Sequence, residues 1–268
     1  MEHAMNNNSN FIDCQNISKS FEQKGEIIVP VLQDLNFCVE ERELLVILGP
    51  GQSGKSTLLR LIAGLEKPDA GRILMRGSSI TGPGADRGLV FQNYMLFPWL
   101  SVLGNVAAGL NIRNRRAAHS AERLNAAQLR DKAMHYLSMV GLADFASYHP
   151  HQLSGGMKQR VGIARAYALE PEVMLFDEPF GQLDAQTRLN LELETERIWQ
   201  NNKCTMIFVT NNIDEAILLA DRIIILDGKL PGRLASIHNV PFPRPRDNMD
   251  VHFLRLREEI TAVQKIYI

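Results

Sequence analysis

Two short stretches of this chain carry residue types suited to handling phosphate esters. Gly49-Pro50-Gly51-Gln52-Ser53-Gly54-Lys55-Ser56-Thr57 fits the spacing G-x-x-x-x-G-K-[ST]. It stands between an apolar run, Leu44 to Leu48, and a helix-like run, Leu58 to Leu65. Gly51 and Gly54 let the backbone bend so that successive N–H groups and the N-terminus of the following helix face an anion. Lys55 adds a point charge for the β and γ phosphates, the Ser56 hydroxyl suits a hard cation such as Mg²⁺, and Thr57 can support an α or β phosphate. The second stretch, Val173-Met-Leu-Phe-Asp177-Glu178-Pro179, ends an apolar run in two adjacent carboxylates. Neighbouring negative charges repel unless a cation or a proton compensates. Asp177 is assigned to Mg²⁺ through its water shell, and Glu178 to polarising an attacking water as the general base of a phosphoryl transfer. Alone the pair reads as a strand-end turn; beside the phosphate loop the chemical reading prevails.

The elements that must position these residues are legible as alternating runs. Glu43–Leu48, Gly88–Phe91, Val173–Phe176, Thr205–Thr210 and Arg222–Leu226 are short, apolar and without strict alternation, which predicts strands buried on both faces. Helical stretches fall between them at Lys55–Gly64, Gly156–Leu169, Ala185–Gln200 and Asp214–Ala220. That rhythm predicts an α/β core with a mostly parallel sheet. From about Ser101 to Pro150 the chain turns helical, Ala-rich and Arg-rich, which reads as an inserted helical lobe. After Asp227 it becomes proline-rich, with Pro231, Pro241, Pro243 and Pro245, and ends in a charged helix-like segment from about Asn248.

Composition narrows the partners. A chain of 268 residues can bury a large core as one domain or as two lobes, and its formal charge of −1 argues against a broad basic surface for nucleic acid. Cys14, Cys38 and Cys204 form neither a C-x-x-C pair nor an even framework, so a reducing compartment is expected and no thiol chemistry. Met1 to Asn10 is polar and asparagine-rich where a signal peptide needs an apolar segment. No run elsewhere reaches membrane-spanning length, so the chain is expected to be soluble.

Residues Leu153-Ser154-Gly155-Gly156-Met157-Lys158-Gln159-Arg160 resemble the signature motif of ABC ATPases. The order of phosphate loop, Gln92, signature, acidic strand end and Asp184 matches that family over most of the chain. In isolation Ser-Gly-Gly is only a helix start. The resemblance implies a P-loop NTPase core with a mostly parallel sheet, an N-terminal antiparallel β region and an inserted α-helical subdomain. Residues 1–10 would be flexible, 11–228 the ATPase domain with its helical subdomain at about 101–155, and 229–268 a C-terminal extension. It implies a head-to-tail homodimer, or a pair with a second ABC ATPase, closed around two ATP molecules. Ser154, Gly155 and Gly156 open a helix whose N-terminus can bind the γ-phosphate held by the phosphate loop of the other subunit. Gln92 would sense Mg²⁺ and the attacking water and relay that state to the helical lobe. Phe21 falls where the family sets an aromatic ring against adenine, the alternative being a core phenylalanine. Asp184 would couple the two sites across the dimer, or simply N-cap the helix that starts at Ala185. At one position the chain departs from the family: Asn211 stands where a His is usual. Asn can donate a hydrogen bond to the γ-phosphate but cannot carry charge or exchange a proton. Asn211 is therefore expected to keep a neutral phosphate contact beside Lys55 and Glu178, with slowed but real hydrolysis.

Four stretches narrow the resemblance to the ATPase subunits of nitrate, sulfonate and taurine importers: Gly82-Pro-Gly-Ala-Asp-Arg-Gly88, Phe97-Pro98-Trp99-Leu-Ser101, Phe180-Gly-Gln-Leu-Asp-Ala-Gln-Thr-Arg188 and Pro243-Arg-Pro-Arg246. This implies a peripheral subunit at the cytoplasmic face of the inner membrane. It would be bound to integral permease subunits, in a system served by an extracytoplasmic solute-binding protein. In that family Phe97, Pro98 and Trp99 lie beside the groove that takes a cytoplasmic helix of the permease. Plain core packing is the other reading of the three, and an exposed Trp99 would tip the balance towards docking. Three other functions compete. A regulatory or slow-turnover ABC ATPase is suggested by Asn211. A soluble ABC machine of DNA repair or translation would need coiled coils, tandem cassettes or basic extensions. A P-loop kinase would have no use for the signature.

Overall fold

The computed structural model describes residues 10–23, 25, 27–116, 123–202 and 204–267. The chain packs as two compact units, one running to Pro83 and resuming at Thr205, the other spanning Gly84–Cys204.

In the first unit, β1 (Asn10–Gln23) and β2 (Ile27–Glu40) pair antiparallel, and β4 (Ala70–Met75) with the short β5 (Ser78–Ser79) completes a sheet ordered β2-β1-β4-β5. Ile12 and Cys14 on β1 face inward with Leu35, Phe37 and Val39 on β2, the period-two spacing of a sheet buried on one side. A register shift between Cys14 and Ile17 coincides with Asn16, whose φ of 52° breaks the pleat. The unit's second set of strands holds β3 (Leu44–Leu48) between β8 (Thr205–Thr210) and β9 (Arg222–Leu226), parallel to both, with β10 (Leu234–Asn239) antiparallel on β9. Every residue of β3 and β8 is buried. That is why neither strand alternates in sequence. Helices α1 (Lys55–Ile62) and α6 (Ile213–Leu219) cover these strands, and α7 (Val251–Tyr267) packs on α6.

The proline-rich tail thus contains a strand that sequence reasoning read as irregular chain. Leu234-Ala-Ser-Ile-His-Asn is only half-buried because β10 is an edge, paired on one side, so its apolar signal is weak. The terminal helix begins at Val251 behind Asp250, whose carboxylate accepts from the His252 N–H at 2.7 Å. Phe253, Leu256 and Ile260 form its buried stripe.

The second unit pairs β6 (Arg87–Val90) parallel to β7 (Val173–Asp177) and adds α2 (Val102–Arg116), α3 (Ala126–Met139), α4 (Gly155–Tyr167) and α5 (Ala185–Asn202). The stretch expected to be helical carries α2, α3 and two 3₁₀ turns, Ala143–Phe145 and Pro150–Gln152. Asn125 and Gln128 close the start of α3 as a reciprocal capping box. Helix α2 crosses α4 at Gly109, where a Cβ would stand 2.8 Å from the Arg165 carbonyl oxygen, so only glycine admits this approach.

All three cysteines are free thiols. Burial pushes the Cys14 thiol far above its ordinary range, so it stays protonated and unreactive. Among the described residues no helix is long and apolar enough to cross a membrane.

Candidate active site

The first unit presents the phosphate loop. Buried β3 delivers Gly49, and the turn through Pro50, Gly51, Gln52 and Ser53 leads into α1 at Gly54. Gln52 (φ 68°) and Gly54 (φ 88°) are both left-handed. A Cβ on Gly54 would lie 2.5 Å from Leu32 Cδ2 and 3.0 Å from the Val31 carbonyl oxygen, so the residue must be glycine. No side chain caps the N-terminus of α1, which leaves the helix start to present backbone N–H groups to an anion. Lys55 is buried and folds back along the loop, its Nζ donating to the carbonyls of Gly49 (2.9 Å) and Pro50 (2.8 Å). Ser56 and Thr57 follow on the first turn, half-buried. Asn211, exposed, follows the end of β8, and Asn212 caps α6 by accepting from the Asp214 (2.9 Å) and Glu215 (3.3 Å) N–H groups. Phe21 sits on β1 as an exposed ring rather than in the core, with Lys19 Nζ 5.2 Å from its centroid.

The phosphate loop also rests on a residue that sequence reasoning passed over. Gly232 donates to the Val31 carbonyl (2.8 Å) and accepts from Gln33 N–H (3.0 Å), and a Cβ on it would stand 2.2 Å from the carbonyl oxygen of fully buried Ser53. The only local signal was Gly232 following Pro231, which marks a turn and says nothing of what the turn touches.

The second unit carries the acidic pair. Asp177 ends β7 and Glu178 follows with φ 44°, an unusual conformation for a residue with a side chain; both are half-buried. Gln92 lies in the turn beyond β6, two residues past the strand end at Val90 rather than on the strand itself. A Cβ on Gly181 would be 3.5 Å from Gln92 Nε2 and 3.6 Å from the Glu178 carbonyl oxygen, so the Gln92 turn and the loop after β7 are neighbours. Gln182 Nε2 donates to Asn93 Oδ1 at 3.0 Å across the same junction. Asp184 accepts from the Thr187 N–H at 3.0 Å and so N-caps α5; that backbone hydrogen bond holds its carboxyl below the usual range.

The signature residues open α4. Leu153 is buried, exposed Ser154 caps the helix by accepting from the Met157 N–H (3.3 Å), and Gly155 and Gly156 form its first turn. A Cβ on Gly155 would meet Tyr94 Oη at 3.0 Å, and one on Gly156 would meet Thr187 Cγ2 at 2.7 Å, so the start of α4 lies close against the Tyr94 and Thr187 side chains. Phe97, Pro98 and Trp99 all face solvent, Trp99 at 72 % exposure. The Phe97 and Trp99 rings stand 5.5 Å apart, and the Arg165 guanidinium lies 5.4 Å from the Phe97 centroid while donating to the Met95 and Tyr94 carbonyls. An exposed indole on a braced loop is not core packing.

The family model described as ABC transporter matches residues 32–181, more than half of the chain. The chain belongs to the ABC transporter ATPase family. Its fold is the ABC ATPase fold, and it is an ATPase. The bicarbonate transport ATP-binding protein CmpD of Synechocystis is 43% identical over 88% of this chain and 81% of its own length. The aliphatic sulfonates import ATP-binding protein SsuB of Bacillus licheniformis is 43% identical over 88% of both chains. Among solved structures, an ATP-binding cassette in a dimeric post-hydrolysis state bound to ADP and Pi superposes with a TM-score of 0.74 at 30% identity, covering 87% of this chain and all of its own. This ABC ATPase therefore carries the phosphate loop in one compact unit and the acidic pair and signature helix in the other.

Proposed function

We propose that this ABC ATPase is the ATP-hydrolysing subunit of an importer for a small anion or related solute of the nitrate, sulfonate and taurine type. It works as a head-to-tail ATP-sandwich dimer, peripheral on the cytoplasmic face of the inner membrane. The observation that carries the reading is the start of α4: buried Leu153 anchors it, and exposed Ser154 leads into a glycine-opened helix N-terminus in a chain that already has a phosphate loop. A single-site enzyme has no use for a second anion-binding helix start, whereas a dimer uses it on the other subunit's γ-phosphate. Relatives named for bicarbonate and sulfonate transport support the importer class.

In this reading the phosphate-loop N–H groups and Lys55 hold the β and γ phosphates, and Phe21 offers its exposed face to adenine. Glu178 polarises the attacking water and takes its proton, Gln92 orients that water, and Asn211 donates to the γ-phosphate. Ser56, Asp177 and Gln92 offer hard oxygen donors, which suit Mg²⁺, and the bound ion would neutralise charge on the phosphates. Asp184 keeps its capping bond to Thr187 and couples the two sites across the dimer. Purified protein is expected to release phosphate from ATP with Mg²⁺ and to stop on chelation by EDTA. Tight ATP binding without phosphate release would favour the second reading, a regulatory or slow-turnover ATPase, for which Asn211 is the specific argument.

Phe97, Pro98 and Trp99 are proposed to receive a cytoplasmic helix of the permease, and the extracytoplasmic solute-binding protein acts on the far side of that permease. Replacing Trp99 with alanine is expected to weaken co-purification with the permease by about ten-fold or more, the scale at which loss of an exposed aromatic anchor is felt. Undiminished capture of the permease by the variant would remove Trp99 from the interface.

A further inference from the structure

We infer that the C-terminal extension positions Asn211 for its phosphate contact, with Arg246 as the principal positioning residue and Arg257 as the second. The inference rests on the reading of Asn211 as a phosphate donor and concerns how its place is set. Asn211 lies between the end of β8 and the seven-residue helix α6, too short to hold its own geometry by internal hydrogen bonds. Both ends of α6 are held from the extension.

At the C-terminal end the last carbonyls of a helix have no partner within it. Buried Arg246 supplies one, its Nη1 donating to Ile217 (2.7 Å), Leu218 (3.0 Å) and Ala220 (2.6 Å), while Nε and Nη2 tie back to the Phe242 and Val240 carbonyls (3.3 Å each). Arg244 donates to the Leu219 carbonyl and pairs with Asp221 at 2.6 Å. Asp221 in turn accepts from the Leu44 N–H (2.9 Å) at the start of β3, the strand that delivers the phosphate loop. One short segment, Pro243 to Arg246, thus ties the far end of α6 to the root of the phosphate-loop strand. At the near end, Arg257 on α7 pairs with Asp214 (2.9 Å) in the first turn of α6, beside the Asn212 cap. A guanidinium with its donors in a rigid fork can bond several carbonyls at once; an ammonium cannot hold the same set.

The consequence is a loss of alignment. Displacement of a catalytic contact by about 1 Å can cost up to a hundred-fold in rate. Arg246→Lys is expected to lower kcat for ATP hydrolysis by about three- to ten-fold with KM changed by less than about two-fold, because the phosphate loop itself is untouched. The deciding measurement is a double-mutant cycle on kcat with Asn211→Ala. If Arg246 acts through Asn211, Arg246→Lys has no further effect once Asn211 is alanine. Arg257→Ala, which breaks only a half-exposed pair and leaves the core intact, reads the same cycle should Arg246→Lys fail to fold; its expected loss is about two-fold. Effects that multiply, with Asn211→Ala itself slower than the parent, would overturn the positioning inference and leave the phosphate contact standing. An Asn211→Ala protein as fast as the parent would overturn the contact, and the inference with it.

Discussion

Glu178→Gln should leave ATP binding intact, lower kcat by between about a hundred-fold and ten-thousand-fold, and cause an ATP-bound dimer to accumulate. The amide keeps the size of the side chain and its power to hold a water by hydrogen bonding, but it cannot accept the proton that the water must lose, and general-base catalysis is worth that range of rate. β7 is buried up to Phe176, and the chain then turns at Glu178 with φ 44°. A residue with a side chain persists in that region only where its surroundings over-determine it, and here the Gly181 N–H donates to the Glu178 carbonyl at 3.3 Å. Single-turnover hydrolysis and light scattering with Mg²⁺-ATP read both halves. Turnover within about three-fold of the parent would remove Glu178 as the base, since no base of the proposed importance is lost so cheaply. Lost turnover without a dimer would leave the base in place and refute the head-to-tail pairing.

Gly232→Ala should weaken ATP binding by about ten-fold and destabilise the fold by about 1–3 kcal/mol, as overpacking of a close backbone contact does. The new Cβ would stand 2.2 Å from the Ser53 carbonyl oxygen, and neither side can yield freely. Gly232 is pinned by its hydrogen bonds to Val31 and Gln33, while Ser53 is fully buried with its N–H donating to Pro50. The strain therefore reaches the turn whose N–H groups are to face the phosphates. Gly82→Ala is the control, because a Cβ there meets nothing within 4 Å. Calorimetric titration with ATP and a thermal melt decide the matter: parental affinity in the Gly232 variant would show that the turn gives way and the phosphate loop does not depend on it.

Much of the proposed chemistry was legible because its parts are local. A phosphate loop, a signature helix start and an acidic strand end are each contiguous, and each is a backbone shape whose residue types are dictated over a few positions. The predicted strands Thr205–Thr210 and Arg222–Leu226 coincide with β8 and β9, because full burial leaves an unbroken apolar run between polar ends. The predicted run Gly88–Phe91 overshoots β6 by one residue, since Phe91 continues the apolar pattern beyond the last pairing residue, Val90, and Gln92 follows in the turn.

What the chain order alone determined is the α/β class, the family's order of motifs and the local shape around Lys55, Ser154 and Asp177. Tertiary structure decided which side chains are exposed and which are props. Phe21 and Trp99 face solvent although both are apolar, β10 forms only because β9 offers it an edge, and Gly232 and Arg246 act on backbone more than twenty residues away. The reason is physical. Propensity and period act over neighbouring residues, whereas exposure, close approach and the capping of another segment's carbonyls depend on atoms brought together only by the folded chain.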